Sequence, residues 1–169
     1  DWSWSRGLGD VYKRQLFGYW QFFPTGEDPW GKVTVWGIGE VVASHVEGIA
    51  VGERLYGFFP MASHVVMKPG ELSERGFTDA MPHRSELPGL YNFYARTQSE
   101  PAQLQALEDQ RCIFFPLFMT GFVIADLLLD NDWFGAQQIV IGSASSKTGF
   151  STAAFVRAVG FEGAIVGLT

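Results

Sequence analysis

A loop rich in glycine and serine lies between a predicted strand and a predicted helix in the second half of the chain. It reads Gly142-Ser143-Ala144-Ser145-Ser146-Lys147-Thr148-Gly149. Small residues at such a place let a phosphate group approach the backbone, where free N–H groups and the helix dipole bind the anion. Serine hydroxyls could add hydrogen bonds, and Lys147 a positive charge. The loop therefore predicts a phosphate site; the alternative is that its serines only cap the helix and Lys147 is solvated.

The loop also departs from the usual phosphate-binding patterns. Gly149 takes the place of the last glycine of a dinucleotide loop, where the helix packs closely on the strand, but Ser146 stands where the middle glycine is expected. The Gly-x4-Gly-Lys-Ser/Thr spacing of a Walker-type loop is absent from the sequence. The residues predicted to contact a bound phosphate are Ser143, Ser145, Ser146, Lys147, Thr148 and Gly149.

Residue types that bind metals or act as nucleophiles show no such pattern. The single cysteine, Cys112, excludes an internal disulfide and a cysteine-rich zinc site, and the three histidines lack metal-ligand spacing. No metal site is predicted. A serine hydrolase pairing Ser145 with His64 is the weakest alternative, because the loop lacks a Gly-x-Ser-x-Gly motif.

Composition narrows the class of protein further. The chain has 169 residues, of which 47% are apolar and 15% aromatic, and its net charge is −6. This excludes general disorder, and the lack of clustered Lys and Arg argues against a nucleic-acid partner. The most apolar stretch, residues 113–129, contains Pro116 and Asp126 and predicts a buried helix rather than a membrane span. With one cysteine and no signal peptide, a cytoplasmic location is expected.

The predicted secondary structure that positions these residues changes near residue 100, from short strands and loops to alternating helices and strands. Short strands punctuated by glycine predict a compact antiparallel barrel in the first half, followed by a loop-rich stretch over residues 70–100. The predicted strands there are residues 32–37, 40–44, 54–59 and 62–67.

The second half predicts alternating helix and strand. Helices are expected at residues 101–109, 117–129 and 148–159, and strands at 138–142 and 164–168. The first of these strands is apolar and β-branched, which is typical of a strand covered on both faces. Strand, loop, helix and strand together form a βαβ unit.

Three segments follow from these patterns. Residues 1–15 have no clean period and are predicted to be a non-native leader, with a genuine amphipathic start as the alternative. Residues 16–100 form the barrel domain with its irregular loop region, and residues 101–169 form connecting helices and a first βαβ unit. A dinucleotide-binding domain needs about six parallel strands, so the chain is predicted to be a fragment without activity of its own.

Two strings in the first half carry a family resemblance: Gly37-Ile38-Gly39-Glu40-Val41-Val42-Ala43-Ser44 and Val51-Gly52-Glu53-Arg54-Leu55-Tyr56-Gly57-Phe58. They resemble the barrel-domain signature of medium-chain dehydrogenases/reductases, and residues 139–168 resemble the start of that superfamily's nucleotide-binding domain. Three further strings resemble an uncharacterised family described as quinone-oxidoreductase-like: Tyr56-Gly57-Phe58-Phe59-Pro60-Met61-Ala62-Ser63-His64, Tyr91-Asn92-Phe93-Tyr94 and Ser143-Ala144-Ser145-Ser146-Lys147-Thr148.

The resemblance implies a fold of class α/β plus β, in which a GroES-like, partly open β-barrel precedes the start of a Rossmann-like parallel α/β domain. It also implies an NADP(H)-dependent oxidoreductase that transfers hydride to a quinone or enone, and a homodimer when full length. Zinc ligands of the zinc-dependent members are missing, so the zinc-independent reaction is expected. The alternative is a catalytically inactive protein that binds a nucleotide or small molecule.

Within that reaction, four further residues become candidates. Tyr91, Asn92 and Tyr94 could donate hydrogen bonds to a small-molecule substrate or stack on it, although packing in an aromatic core explains them equally well. Thr120 aligns with a threonine that lines the nicotinamide pocket of related reductases; its alternative is a hydrogen bond to its own helix. NADP is favoured weakly over NAD because the chain carries a neutral Thr169 where an acidic residue would bind the ribose of NAD.

Overall fold

The computed structural model describes residues 18–27 and 30–169, so the predicted leader at residues 1–15 lies outside the described residues. The chain divides into two compact units, Asp1–Ala106 and Leu107–Thr169. The first unit is built on an antiparallel sheet, and the second combines two long helices with a parallel pair of strands. The mixed α/β character expected from the sequence is therefore present.

Five short strands form the sheet of the first unit. They are β1 (Thr34–Glu40), β2 (Arg54–Pro60), β3 (Pro69–Ser73), β4 (Gly76–Asp79) and β5 (Phe93–Arg96). Their order is β1-β2-β5-β4-β3 and every pairing is antiparallel. Over residues 18–27 and 30–106, β1 and β3 each have one neighbour, so the sheet is open and no closed barrel is found. A short helix, α1 (Ala102–Gln105), follows the sheet.

Apolar side chains cover both faces of this sheet. Successive residues of a strand point to opposite faces, so Leu55 and Phe58 of β2 enter different clusters. Phe58 joins a cluster with Phe22, and Leu55 joins one with Phe77 and Tyr94. β2 is consequently buried on both sides.

Several strand predictions for the first unit are wrong. Residues 42–44 and 62–67 are not strands. For residues 42–44 the reason is that the chain leaves the β1–β2 ladder at Val41, whose N–H donates to the Glu53 carbonyl at 2.9 Å. The stretch over residues 70–100 was expected to be loop-rich, but it contains most of β3 and all of β4 and β5. Strands of four or five residues are too short to show a clear period in the sequence.

The second unit has the predicted strand–loop–helix–strand order. It consists of α2 (Glu108–Asp130), β6 (Gln138–Ile141), α3 (Lys147–Ala158) and β7 (Ala164–Gly167). β6 and β7 pair in parallel, with Ile139 opposite Ile165. These bounds confirm both predicted strands and the last predicted helix, whereas α2 starts nine residues before the predicted helix at 117, continuing through Pro116.

Burial in the second unit differs from the prediction. Ala125 of α2, Val156 of α3 and Phe161 form the core, with Ile139 packed against them. Val140, the neighbour of Ile139, is 57% exposed, so β6 is not covered on both faces. Nor is α2 the buried helix that was expected, since only 11% of its most apolar stretch is buried. By length and composition it could cross a membrane, but helices of soluble cores pass the same test.

Candidate functional site

The glycine- and serine-rich loop is attached to the end of β7. The backbone N–H of Ala144 donates to the carbonyl of Leu168, and that of Leu168 donates to the carbonyl of Ile141, both at 2.9 Å. Ser143 adopts the left-handed conformation, with φ 51°, which is uncommon for a residue other than glycine. The turn from β6 to α3 is therefore held by backbone bonds to the neighbouring strand.

Ser146 is the N-cap of α3. Its Oγ accepts a hydrogen bond from the Gly149 N–H at 3.0 Å, and its own N–H donates to the Ser143 carbonyl at 2.9 Å. This is the capping role that the sequence left as the alternative for the serines. The Ser146 hydroxyl oxygen is therefore bonded within the loop, and the N–H groups of Ser146 and Gly149 already have acceptors.

Three other N–H groups at the start of α3 remain free. Among the described residues, no acceptor bonds to the backbone N–H of Ser145, Lys147 or Thr148. The first turn of α3 contains no acidic residue, and the Lys147 side chain is exposed. Unsatisfied N–H groups carry the positive end of the helix dipole, so this end of α3 favours an anion.

Gly149 is required by the loop itself. A Cβ at this position would lie 2.7 Å from the carbonyl oxygen of Ser143 and 3.1 Å from the Cα of Ala144. The sequence pattern assigned this glycine to close packing of helix on strand; in the structure the close approach is to the loop backbone. A larger residue here would distort the loop as well as any ligand contact.

Thr120 makes the hydrogen bond that the sequence left as its alternative. It lies on an exposed part of α2, and its Oγ1 donates to the carbonyl of Pro116 at 3.1 Å, one turn earlier. A threonine that bonds to its own helix needs no ligand to satisfy its hydroxyl. Nothing in the geometry of the second unit therefore singles out Thr120 as a ligand contact.

In the first unit, Tyr94 and Asn92 are interior residues. The Tyr94 hydroxyl donates to the Phe58 carbonyl at 2.6 Å and accepts from Arg84 Nη1 at 2.9 Å. Asn92 Nδ2 donates to the Arg84 carbonyl at 3.0 Å, and both side chains are buried. Tyr94 is 0% exposed and Asn92 5%, so both side chains pack in the core, which is the alternative that the sequence left open for them.

Tyr91 lies in a different environment from its two neighbours. It is half-buried, and its ring packs on Phe22, Trp36 and Phe58 at centroid distances of 5.4, 5.6 and 5.0 Å. No described residue shares a hydrogen bond with its hydroxyl, and that oxygen is not among the buried unsatisfied atoms. Of the three candidates in the first unit, Tyr91 alone keeps a donor within reach of a ligand.

Burial of Tyr94 predicts a loss of stability at alkaline pH. Desolvation raises the pKa of the Tyr94 phenol from 10.0 to about 12, although the nearby Arg84 opposes this. Because the folded-state pKa lies above the unfolded one, the protonated phenol stabilises the fold fully below pH 10, and this contribution disappears as the pH rises to about 12. We expect urea titrations to show falling stability across this interval, and Tyr94→Phe to remove that part of the decline. A Tyr94→Phe profile parallel to the parent's would contradict the assignment.

Taken together, the two units define a protein of mixed class: an open antiparallel sheet, and an α/β unit whose loop has three N–H groups without an acceptor among the described residues. A family model described as "Protein of unknown function (DUF2855)" matches residues 9–169, and the chain belongs to this family. The match begins inside the segment predicted to be a non-native leader. No curated protein and no solved structure matches the chain.

Proposed function

We propose that this DUF2855 protein binds the dinucleotide NADP(H), with the pyrophosphate at the loop between β6 and α3. The observation that carries the proposal is the set of three free N–H groups on Ser145, Lys147 and Thr148 at the start of α3. Their position directly after a strand of a parallel pair is the position at which dinucleotide-binding folds hold a pyrophosphate.

The surrounding chain fits the phosphate groups of such a cofactor. Ser143, Ser145 and Lys147 are exposed on the loop, so two hydroxyls and one ammonium group can add to the backbone donors. After β7 ends at Gly167, the Leu168 carbonyl accepts from the Ala144 N–H of the loop, and the neutral Thr169 that follows favours NADP weakly over NAD. From the parallel β6–β7 pair and the open antiparallel sheet, we also propose that the second unit is Rossmann-like and the first a GroES-like, partly open barrel.

For the reaction, we propose a zinc-independent hydride transfer to a quinone or enone. The cofactor, when bound, would supply the hydride that reduces the acceptor, and a proton from solvent would complete the reduction. The chain's own part is to hold the pyrophosphate and to donate a hydrogen bond to the developing oxyanion. Tyr91 stays a candidate contact of a small-molecule substrate on the first unit, since no described residue shares a hydrogen bond with its hydroxyl.

One observation favours the inactive alternative, a protein that binds a nucleotide or small molecule without turnover. Ser146 stands at the middle-glycine position, and its side chain occupies the space beside the Gly149 N–H. A pyrophosphate would then sit farther from the backbone than it does over glycine. Oxidation of NADPH in the presence of a quinone, followed by absorbance at 340 nm, separates a turning-over enzyme from a binding protein.

We expect NADPH to perturb the free amides of the loop. In a titration of the isotope-labelled chain followed by NMR, the amide resonances of Ser145, Lys147 and Thr148 should shift most. Those of Ser146 and Gly149, which already have acceptors, should shift less. Lys147→Gln should weaken binding, because it removes the loop's ammonium group. NMR suits this test because it also detects binding of about 1 mM, which corresponds to roughly −4 kcal/mol.

The matched control is Lys32→Gln, which removes an exposed ammonium group from the first unit. It should leave the affinity for NADPH unchanged. Equal weakening by Lys32→Gln and Lys147→Gln would mean that the titration reports net charge. Absence of shifts at residues 142–149 would overturn the proposal.

A further inference from the structure

A cavity in the second unit lies at the end of the β6–β7 pair opposite the glycine- and serine-rich loop. Its volume is about 500 Å³, within the range of about 300–1,000 Å³ that is typical of small-molecule sites. Gln137, the residue before β6, and Gly163, the residue before β7, both line it. Because β6 and β7 are parallel, their amino-terminal ends meet here, whereas the loop follows the carboxyl end of β6. The cavity is therefore separate from the proposed phosphate site.

One wall of the cavity comes from a strained turn. Asp132, Trp133 and Phe134 have φ values of 49°, 56° and 52°, so three consecutive residues other than glycine adopt the left-handed conformation. Such backbone is unfavourable for L-residues, and it is concentrated at functional sites. The turn places Trp133 in the cavity wall, where its ring centroid lies 4.8 Å from that of the buried Phe161. Trp133 is half-buried, so it offers an ordered aromatic surface to a ligand.

The wall of the cavity carries a negative charge. Among the described residues that line it, Glu162 alone is ionisable, and it is exposed. No cation in the described part of the chain forms an ion pair with Glu162. Arg157 instead donates to the carbonyls on either side of Glu162, those of Phe161 at 2.6 Å and Gly163 at 3.2 Å. The Glu162 carboxylate is therefore available to a cationic ligand.

We propose that this cavity binds the guanidinium group of a small organic cation, which stacks on the Trp133 ring and pairs with the Glu162 carboxylate. A guanidinium is planar and presents parallel N–H donors, so it can stack on an aromatic face and bind a carboxylate bidentately. A neutral ligand would leave the carboxylate without a partner. The inference is independent of the proposed function, because the binding needs neither a nucleotide nor a hydride acceptor.

The test is a titration of the whole isotope-labelled chain with L-argininamide, followed by NMR. The matched ligand is L-citrullinamide, which carries a neutral urea group in place of the guanidinium. L-argininamide should shift the indole N–H resonance of Trp133 and the amide resonances of Gly160 and Gly163, which also line the cavity. L-citrullinamide should bind at least about 5-fold more weakly, because it forms neither the ion pair nor the cation–π contact.

Variants of the two proposed contacts test them separately. Glu162→Gln keeps the size of an exposed side chain and removes its charge, so the affinity for L-argininamide should fall about 2- to 5-fold. Trp133→Phe keeps a ring in the core but binds cations less well, so affinity should fall about 2-fold or more. The matched control is Asp126→Asn, which removes an exposed carboxylate from α2 and should leave the affinity unchanged.

Three results would overturn the inference of a guanidinium site. They are equal affinities for L-argininamide and L-citrullinamide, equal losses in Glu162→Gln and Asp126→Asn, and an absence of shifts at Trp133, Gly160 and Gly163. None of these results would alter the NADPH shifts expected at residues 142–149, so the two proposals fail separately.

Discussion

Replacing Arg84 by methionine is expected to lower the free energy of unfolding of the first unit by about 3–5 kcal/mol, as for other buried ion pairs that lose one partner. Arg84 is fully buried, and its Nη1 donates to Asp79 Oδ2 at 2.8 Å and to the Tyr94 hydroxyl. Methionine replaces the apolar stem of the arginine side chain but carries no charge and no hydrogen-bond donor. The Asp79 carboxylate would then stay in the interior without its cation.

The loss of Arg84 should weaken contacts between several elements at once. Arg84 follows β4, which carries Asp79, and it reaches Tyr94 on β5 and the carbonyl of Tyr91. Its guanidinium also lies over the ring of Phe23, with its carbon 4.7 Å from the ring centroid. Removing it breaks the bonds that join these segments and leaves the Tyr91 carbonyl without its donor.

Urea unfolding followed by tryptophan fluorescence measures this effect. The matched control is Arg75→Met, since Arg75 is exposed in the turn between β3 and β4 and its backbone bond to Arg96 does not involve the side chain. That variant should change stability by no more than about 0.5 kcal/mol. A loss below about 1 kcal/mol in Arg84→Met would show that the buried network contributes little to stability.

Replacing Gly121 by valine is expected to destabilise the second unit by about 3 kcal/mol, the upper range for overpacking. A Cβ at Gly121 would lie 2.8 Å from the backbone nitrogen of Thr152 and would collide with the Ser151 Oγ. The backbone of α3 cannot yield as a flexible side chain can. α2 and α3 must therefore separate, which opens the core around Ala125 and Val156.

The helical signal in circular dichroism during urea unfolding reports this loss. Met119→Val is the matched control, because it introduces the same residue on an exposed part of α2 and should cost only a few tenths of a kcal/mol. If Gly121→Val were as stable as Met119→Val, the close contact between α2 and α3 would not contribute to the stability of the second unit. A loss confined to Gly121→Val supports the packing seen here.

The order of elements in the second unit could be predicted because each signal is local. A β-branched run ending in Gly142 indicates β6, and the capping Ser146 marks the start of α3. Burial could not be predicted in the same way. The apolar residues of α2 and Val140 of β6 predict burial, yet what covers them depends on which elements pack there, and much of this surface is exposed in the second unit.

In the first unit, local sequence patterns did not predict all of the strands. β4 and β5 have four residues each, and their stability comes from pairing with strands distant in sequence, as Leu55 of β2 does with Arg96 of β5. A pattern over four residues cannot show this. The sequence correctly predicted an antiparallel structure. It also predicted a compact barrel, but among the described residues β1 and β3 each have one neighbour, so the sheet has two open edges. Which strands lie at the edges is decided only when the sheet assembles.

The sequence by itself determined which residues carry polar groups near a loop or an aromatic core, and only the tertiary structure decided which of those groups remain free. Tyr91 and Tyr94 look equivalent as residues, but the Tyr94 hydroxyl bonds to Phe58, 36 residues away, whereas the Tyr91 hydroxyl bonds to no described residue. Ser146 likewise gives its hydroxyl to Gly149. The physical reason is that a buried polar atom must find a partner, and folding brings that partner from elsewhere in the chain.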